Sequence, residues 1–277
     1  MTAWWTGHAV GLDFETDGPR PEEARIITCN ITNTTPGEKP SSLDWLVKPE
    51  RDIPQGAIDV HGVTTEHAWE FGLAREDAVA DIVTALTGAS ESVPVVGHNV
   101  GSYDLTLLDR EMRRLGLGSL GLDEGLVTIR RDGRTLARFP VIDTLVLDKA
   151  VDPYRPGKGG RQLEKVAVQY GVPMDPGAAH AADADVLASL RIAWRIAAMC
   201  EWAPTQLHER YAGRSRSSGV VVAFNGLAGM SLIDLHHLQT KWAVAQADGL
   251  RQYFRDHPER GVDPNDVDGT WPFHPYV

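Results

Sequence analysis

Cysteine is almost missing from this chain. Cys29 and Cys200 are the only two in 277 residues, far apart and in no metal-ligand spacing. A disulfide framework is therefore not expected, and a reducing compartment is the default expectation. Long apolar runs are missing too. No uninterrupted stretch approaches the roughly 18 residues that a membrane span needs. The opening "MTAWWTGHAV" has no basic region followed by a long apolar run, so no signal peptide is expected. A soluble, cytoplasmic protein with no membrane partner follows as the expectation. Positive charge is in short supply: 27 Lys and Arg stand against 38 Asp and Glu, a formal net charge of −11. That balance argues against a protein that coats long duplexes by neutralising phosphates. It does not bar one that grips only a nucleic-acid end, because acids gathered around a metal ion are offset locally by the metal.

What is present is ordinary globular composition, 42% hydrophobic and 23% charged, enough to bury a sizeable core. The length allows one large domain, or one domain with an extension. Val10–Phe14, Arg25–Thr32 and Ser41–Pro49 read as strands of an antiparallel meander, joined by turns rich in Gly, Pro and Asn. "EDAVADIVTALTG" has helical spacing, with Val79, Ile82, Val83 and Leu86 on one face. "VPVVGH" is a short, continuously apolar run of the kind buried on both faces of a sheet. A helix over "DLTLLDREMRRLG" follows, and then a hairpin turning at Asp132-Gly133 and a strand into Asp143. Two more helices close the pattern: "RQLEKVAVQYG", ending at Gly171, and "DADVLASLRIAWRIAAMCEW", with Leu187, Leu190, Trp194 and Ala197–Ala198 on its apolar face. Strands first, then strands alternating with helices, predict an α/β domain with a mixed central sheet flanked by helices. It should span residues 1–202. Residues 203–277 form a C-terminal extension of loop or hairpin, amphipathic helix and turn-rich tail, expected to pack on that domain.

The acids carry the chemical signal. In a strand, side chains i and i+2 share a face, so "DFET" puts Asp13 and Glu15 side by side. Two carboxylates there repel, and burying them unpaired is costly. Either they sit solvated at an exposed strand end, or a divalent cation holds them. Asp104 lies just past the apolar strand "VPVVGH", where α/β sheets carry functional loops; capping the next helix explains it equally. In "HAADADV", His180 precedes Asp185 by five positions at the start of a helix, where Asp183 and Asp185 also suit the first turn.

Taken in order, these stretches resemble the DEDDh exonucleases, the DnaQ-like group that includes the epsilon proofreading subunit of bacterial replicative polymerases. Its first motif, D-x-E-T-x-G, matches "DFETDG" from Asp13 to Gly18. The second matches "HNVGSYD" from His98 to Asp104, with Tyr103 where Phe is commoner. The third matches "HAADAD" from His180 to Asp185, and the accessory H-G-(I/V)-T appears as "HGVT" from His61 to Thr64. The resemblance covers about residues 8–200.

The resemblance implies an RNase H-like, DnaQ-like fold and a metal-dependent 3′→5′ exonuclease. Its substrate would be a nucleic-acid 3′ end, single-stranded or frayed DNA first and RNA as the alternative. Two Mg²⁺ or Mn²⁺ ions about 4 Å apart would serve the cleavage. Asp13, Glu15 and Asp185 are the implied ligands of the ion that activates water; Asp13 also bridges to the second ion, which Asp104 holds. His180 is the implied general base, its ordinary pKa near neutrality suiting the role. Phe14, Thr16, His61, Asn99 and Tyr103 are the implied substrate contacts, with Tyr103 placed to stack on a base. Asp143 reads equally as support for the site or as a helix cap. The basic loop "DPYRPGKGGRQ", with Arg155, Lys158 and Arg161, reads as a guide for the phosphate backbone or as a solvated surface loop. A different class of function, an interaction subunit associated with a DNA polymerase, rests on the Leu- and Trp-bearing segment "SLIDLHHLQTKWAVAQADGLRQYF".

Overall fold

The structure is a computed structural model. It describes residues 7–123, 126–151, 159–174 and 182–199, with short pieces at 251–252, 255–256 and 258–260. His180, Cys200, Arg155, Lys158 and nearly all of the extension lie outside the described residues.

Three strands form the expected meander: β1 (Ala9–Thr16), β2 (Ile26–Thr34) and β3 (Ser41–Leu46). Alternation of side chains sorts β1 into two faces. Val10, Leu12 and Phe14 enter the larger hydrophobic core, while Gly11, Asp13 and Glu15 point the other way. Two short helices, α1 (Gln55–His61) and α2 (Thr65–Phe71), precede α3 (Arg75–Leu86). In α3 the residues Val79, Ile82, Val83 and Leu86 are all buried, as the spacing predicts. The apolar run becomes β4 (Val95–Gly97), followed by α4 (Asp104–Arg114).

The expected hairpin of β6 (Leu126–Arg131) and β7 (Arg134–Phe139) is joined by a strand that periodicity did not reveal, β5 (Ser119–Asp123), into a separate three-stranded antiparallel sheet. The β6–β7 turn falls at the expected pair, where Asp132 and Gly133 have φ of 51° and 72°. Two consecutive left-handed residues are what a tight hairpin of this twist requires. The chain then enters β8 (Val141–Asp143), α5 (Thr144–Val151), α6 (Leu163–Tyr170) and α7 (Ala182–Met199).

The central sheet has the order β3-β2-β1-β4-β8. β1 pairs antiparallel with β2, and parallel with β4, which is in turn parallel to β8. The expected mixed sheet between helical layers is therefore the observed one. α7 lies across β1 so closely that a Cβ on Gly11 would stand 2.4 Å from Val186 Cγ1. Of the face predicted for it, Leu190 and Ala197 are buried, Leu187 and Ala198 are half-buried, and Trp194 is the departure. Val186, Leu190, Ile192, Ala193, Ile196 and Ala197 are buried, whereas Trp194 is 41% exposed. The helix is wedged between the sheet and α5–α6, so its buried arc is wide and is set by what fits against Gly11. Trp194 falls just outside that arc, at a groove beside Val172 and Pro173.

Candidate active site

Three elements deliver the acids to one place. β1 supplies Asp13 and Glu15 from the face that α7 crosses, and the first turn of α7 supplies Asp185. A carboxylate oxygen from each of these three lies within 4.8 Å of the others. Asp104, 3% exposed, enters from the start of α4. It does not cap that helix. Its Oδ1 accepts the Phe14 backbone N–H at 3.0 Å, which fixes it beside Asp13.

The electrostatics of the described residues are those of carboxylates that repel one another. Burial, followed by repulsion from Asp104, Glu15 and Asp185, pushes the Asp13 carboxyl well above the usual range. Burial and the neighbouring Asp185 push Glu15 up to about 7. Asp104 is also raised, by burial first, against the opposing effect of the Phe14 hydrogen bond. Among the described residues, Asp13, Glu15 and Asp104 have no ion pair with Lys, Arg or His. Clustered hard oxygen donors with raised proton affinity, three of them without a counter-ion among the described residues, fit a divalent cation such as Mg²⁺ or Mn²⁺.

The surrounding loops are held by carboxylates that accept backbone N–H groups. Asp143, fully buried at the end of β8, accepts from Asn99 at 2.9 Å, Gly101 at 3.1 Å and Leu145 at 3.0 Å. It therefore caps α5 and also holds the loop of the second motif. That loop needs support, because Asn99 has a left-handed φ of 65°. His98 is a connector: its Nε2 donates to the Arg161 carbonyl at 2.8 Å, and its Nδ1 lies 2.9 Å from the Thr144 hydroxyl. Burial lowers its pKa, in keeping with a neutral ring.

Asp17 was not singled out in the sequence. It is buried and accepts Arg25 N–H at 2.7 Å and Arg51 Nε at 2.6 Å, tying the turn after β1 to the segment that leads into α1.

The implied substrate contacts surround this cluster. Phe14 is buried beneath it, 5% exposed. The Thr16 hydroxyl is 2.6 Å from the Tyr103 hydroxyl, and burial pushes the Tyr103 pKa up to about 12. His61 lies at the end of α1, where its Nδ1 accepts Val63 N–H at 3.1 Å and burial lowers its pKa. With Glu15, Thr28, Asp44, His67 and Asp183 it lines a cleft of about 410 Å³ beside the acids. His67 had no sequence signal beyond its place three residues after Thr64, whose hydroxyl caps α2 by accepting the His67 N–H. Asp183 takes the Ala184 N–H at 2.8 Å, as a first-turn acid should, yet it also stands in the cleft.

Comparison with known proteins agrees with this geometry. The chain is 26% identical over 142 residues to DNA polymerase III PolC-type of Thermotoga petrophila, and equally so to that of Thermotoga maritima. The match covers 51% of this chain but 9% of those polymerases. In structure it is similar to E. coli exonuclease I in complex with an oligonucleotide, at TM-score 0.52 and 18% identity, covering 75% of this chain and 42% of that one. Exonuclease I of Methylocaldum szegediense gives TM-score 0.52 at 21% identity, covering 75% and 43%. These likenesses establish the RNase H-like fold, and the chain spans less than half the length of those exonucleases. The profile of the family described as RNase_T, exonuclease, matches residues 10–193, from the first strand of the sheet to the helix that carries Asp185, and the chain belongs to that divalent-metal-dependent exonuclease family.

Proposed function

We propose that this protein removes nucleotides one at a time from the 3′ end of single-stranded or frayed DNA, with two Mg²⁺ or Mn²⁺ ions and His180 as general base. The observation that carries the reading is the convergence of Asp13, Glu15 and Asp185, with Asp104 beside them, at one end of the parallel strands. A phosphodiester is an anion, and a nucleophile reaches it only where charge is neutralised. Two divalent ions held by Asp13, Glu15, Asp104 and Asp185 would supply that neutralisation, for the attacking water and for the leaving oxygen. Asp13 would be the ligand shared between both ions, a role supported by the nearness of Asp104, Glu15 and Asp185, all of which raise its pKa. Phe14 cannot offer its N–H to substrate, since Asp104 holds it; its ring underlies the site. His61 and the cleft beside Glu15 would receive the terminal nucleotide, with His67 as part of the wall. His180 lies five residues before Asp185 in the third motif and would take the proton of the attacking water.

The likeness to PolC-type polymerases supports a second reading, association with a DNA polymerase. Light scattering of the chain alone and with polymerase subunits tests it. The nuclease reading is tested on gels with 5′-labelled single-stranded DNA, duplex DNA and RNA, in Mg²⁺, Mn²⁺ or EDTA. A ladder shortening from the 3′ end on DNA and abolished by EDTA is the expected outcome. A ladder on RNA alone would reassign the substrate. No ladder on any substrate would leave the interaction reading.

A further inference from the structure

The end of β1 loses its partner on the β4 edge just where the chemistry is attached, while it stays paired with β2. On one edge, pairing with β4 consists of Val10 with Val95 and Gly11 with Val96. On the other edge, pairing with β2 slips between Glu15 and Thr16. Glu15 thus keeps a partner on β2, Thr28, in the last regular pair before the slip, and has none on the β4 edge.

What stands in for the missing neighbour is the turn before α4. Asp104 accepts the Phe14 N–H at 3.0 Å, as a strand carbonyl would. The preceding residue, Tyr103, donates its hydroxyl to the Gly18 carbonyl at 2.5 Å and is 2.6 Å from Thr16 Oγ1. Thr16 Oγ1 is in turn 2.9 Å from the same carbonyl, to which it donates. Three oxygens share two hydroxyl hydrogens in one cluster, so two of its three contacts are hydrogen bonds at a time. Two of its members, Thr16 and Gly18, directly follow Glu15 in the chain, and the third is the residue next to Asp104.

We propose that the Tyr103 hydroxyl is a positioning group, a latch that holds the end of β1 so that Glu15 keeps its place relative to Asp104 and Asp13; the proposal rests on the nuclease reading of the site. A phenylalanine ring would fill the same space without closing the cluster. The latch differs from stacking on a base, which uses the ring face and not the oxygen. It also differs from simple structural support. The next residue, Asp17, is anchored independently by Arg25 N–H and Arg51, so the turn persists when the hydroxyl is removed.

Tyr103→Phe and Thr16→Val, singly and combined, test this in the full chain. The readouts are kcat and KM on a single-stranded oligonucleotide, calorimetric titration with Mn²⁺, and thermal melting in EDTA. Each single variant is expected to lower kcat and Mn²⁺ affinity by about tenfold, as losing a group that orients metal ligands does. KM should stay within about twofold, and melting within about 2 °C. The combined variant should be no worse than the worse single one, because either change opens the same cluster. Wild-type kcat and Mn²⁺ affinity in Tyr103→Phe would overturn the latch, as would a loss confined to KM, losses that add, or a fall in kcat that tracks a fall of many degrees in melting. If the wild-type chain shortens no substrate at all, the nuclease reading fails, and the Mn²⁺ titration still decides the latch.

Discussion

Asp13 is the residue on which the repulsion of the site converges, since Asp104, Glu15 and Asp185 all raise its pKa. Removing it should therefore separate function from stability. Asp13→Ala is expected to abolish cleavage and to weaken Mn²⁺ binding in calorimetry. Melting in EDTA should be unchanged or higher, because a crowded acid is gone. Two ions bound with wild-type affinity would mean that Asp13 is no ligand. Glu15 gives a pH test. Its folded pKa of about 7 stands above its ordinary value of 4.5, so between those values the folded state holds more protons than the unfolded one. Stability of the metal-free protein must then fall as pH rises from about 4.5 to about 7. Melting in EDTA should drop across that window, and Glu15→Gln should flatten the drop. Added Mn²⁺ should stabilise more at pH 8 than at pH 5. An equal drop in Glu15→Gln would assign it elsewhere. These acids were legible in the sequence because a strand's period of two and a helix's first turn leave a visible spacing. Asp17 and Asp143 are a different case. A carboxylate that accepts backbone N–H groups from another part of the chain leaves no periodic trace, and in Asp143 the helix cap and the support turned out to be one arrangement.

At the scale of elements, the contact between β1 and α7 brings Asp185 to the other acids. It depends on the absence of a side chain at Gly11, whose Cβ would meet Val186 Cγ1 at 2.4 Å and Leu190 Cδ1 at 2.9 Å. Gly11→Ala should destabilise the protein by about 1–3 kcal/mol through overpacking. It should also weaken Mn²⁺ binding, because the displaced helix carries Asp185. A fall in melting temperature with unchanged Mn²⁺ affinity would show that the two strand acids bind the ion without α7. The longer elements were readable because enough residues repeat the pattern: β1, β2, α3 and α4 sit within a residue or two of expectation. The short ones were not. α1 and α2 bury between them only Ala68, too little for a helical period to show. β5 is defined by its pairing with β6 and by Asp109, which accepts the Leu120 N–H at 2.9 Å, both contacts that local sequence does not encode. The misplacing of Trp194 on α7 has the same origin, since a helix buried between two layers shows no single apolar stripe.

Across the whole molecule the question is how an acidic protein holds a polyanion. The net charge of −11 leaves little for a long phosphate track, and the described arginines outside the site are mostly engaged by acids. Arg161, from the basic loop after α5, pairs with the buried Asp148. On the separate sheet, Arg138 lies 3.5 Å from Glu91 and 3.7 Å from Asp123, and Arg130 lies 3.9 Å from Asp123. Ion pairs this exposed contribute little stability, but they do lower the positive potential a passing strand would meet. Substrate affinity should then come from the metal site, the terminal-nucleotide cleft and a few nearby phosphates rather than from an extended groove. If about three phosphates are neutralised by protein cations, the logarithm of affinity should fall with the logarithm of salt at a slope of about −2 for a single strand. We expect that slope for kcat/KM between about 50 and 300 mM KCl at fixed Mg²⁺, and little gain on lengthening the oligonucleotide beyond several residues. A slope of −6 or steeper, with affinity rising steadily with length, would require a long basic track. The cations for it would have to come from Arg155, Lys158 or the arginines of residues 203–277, and replacing Arg155 and Lys158 with Gln would then flatten the slope by about 1.4.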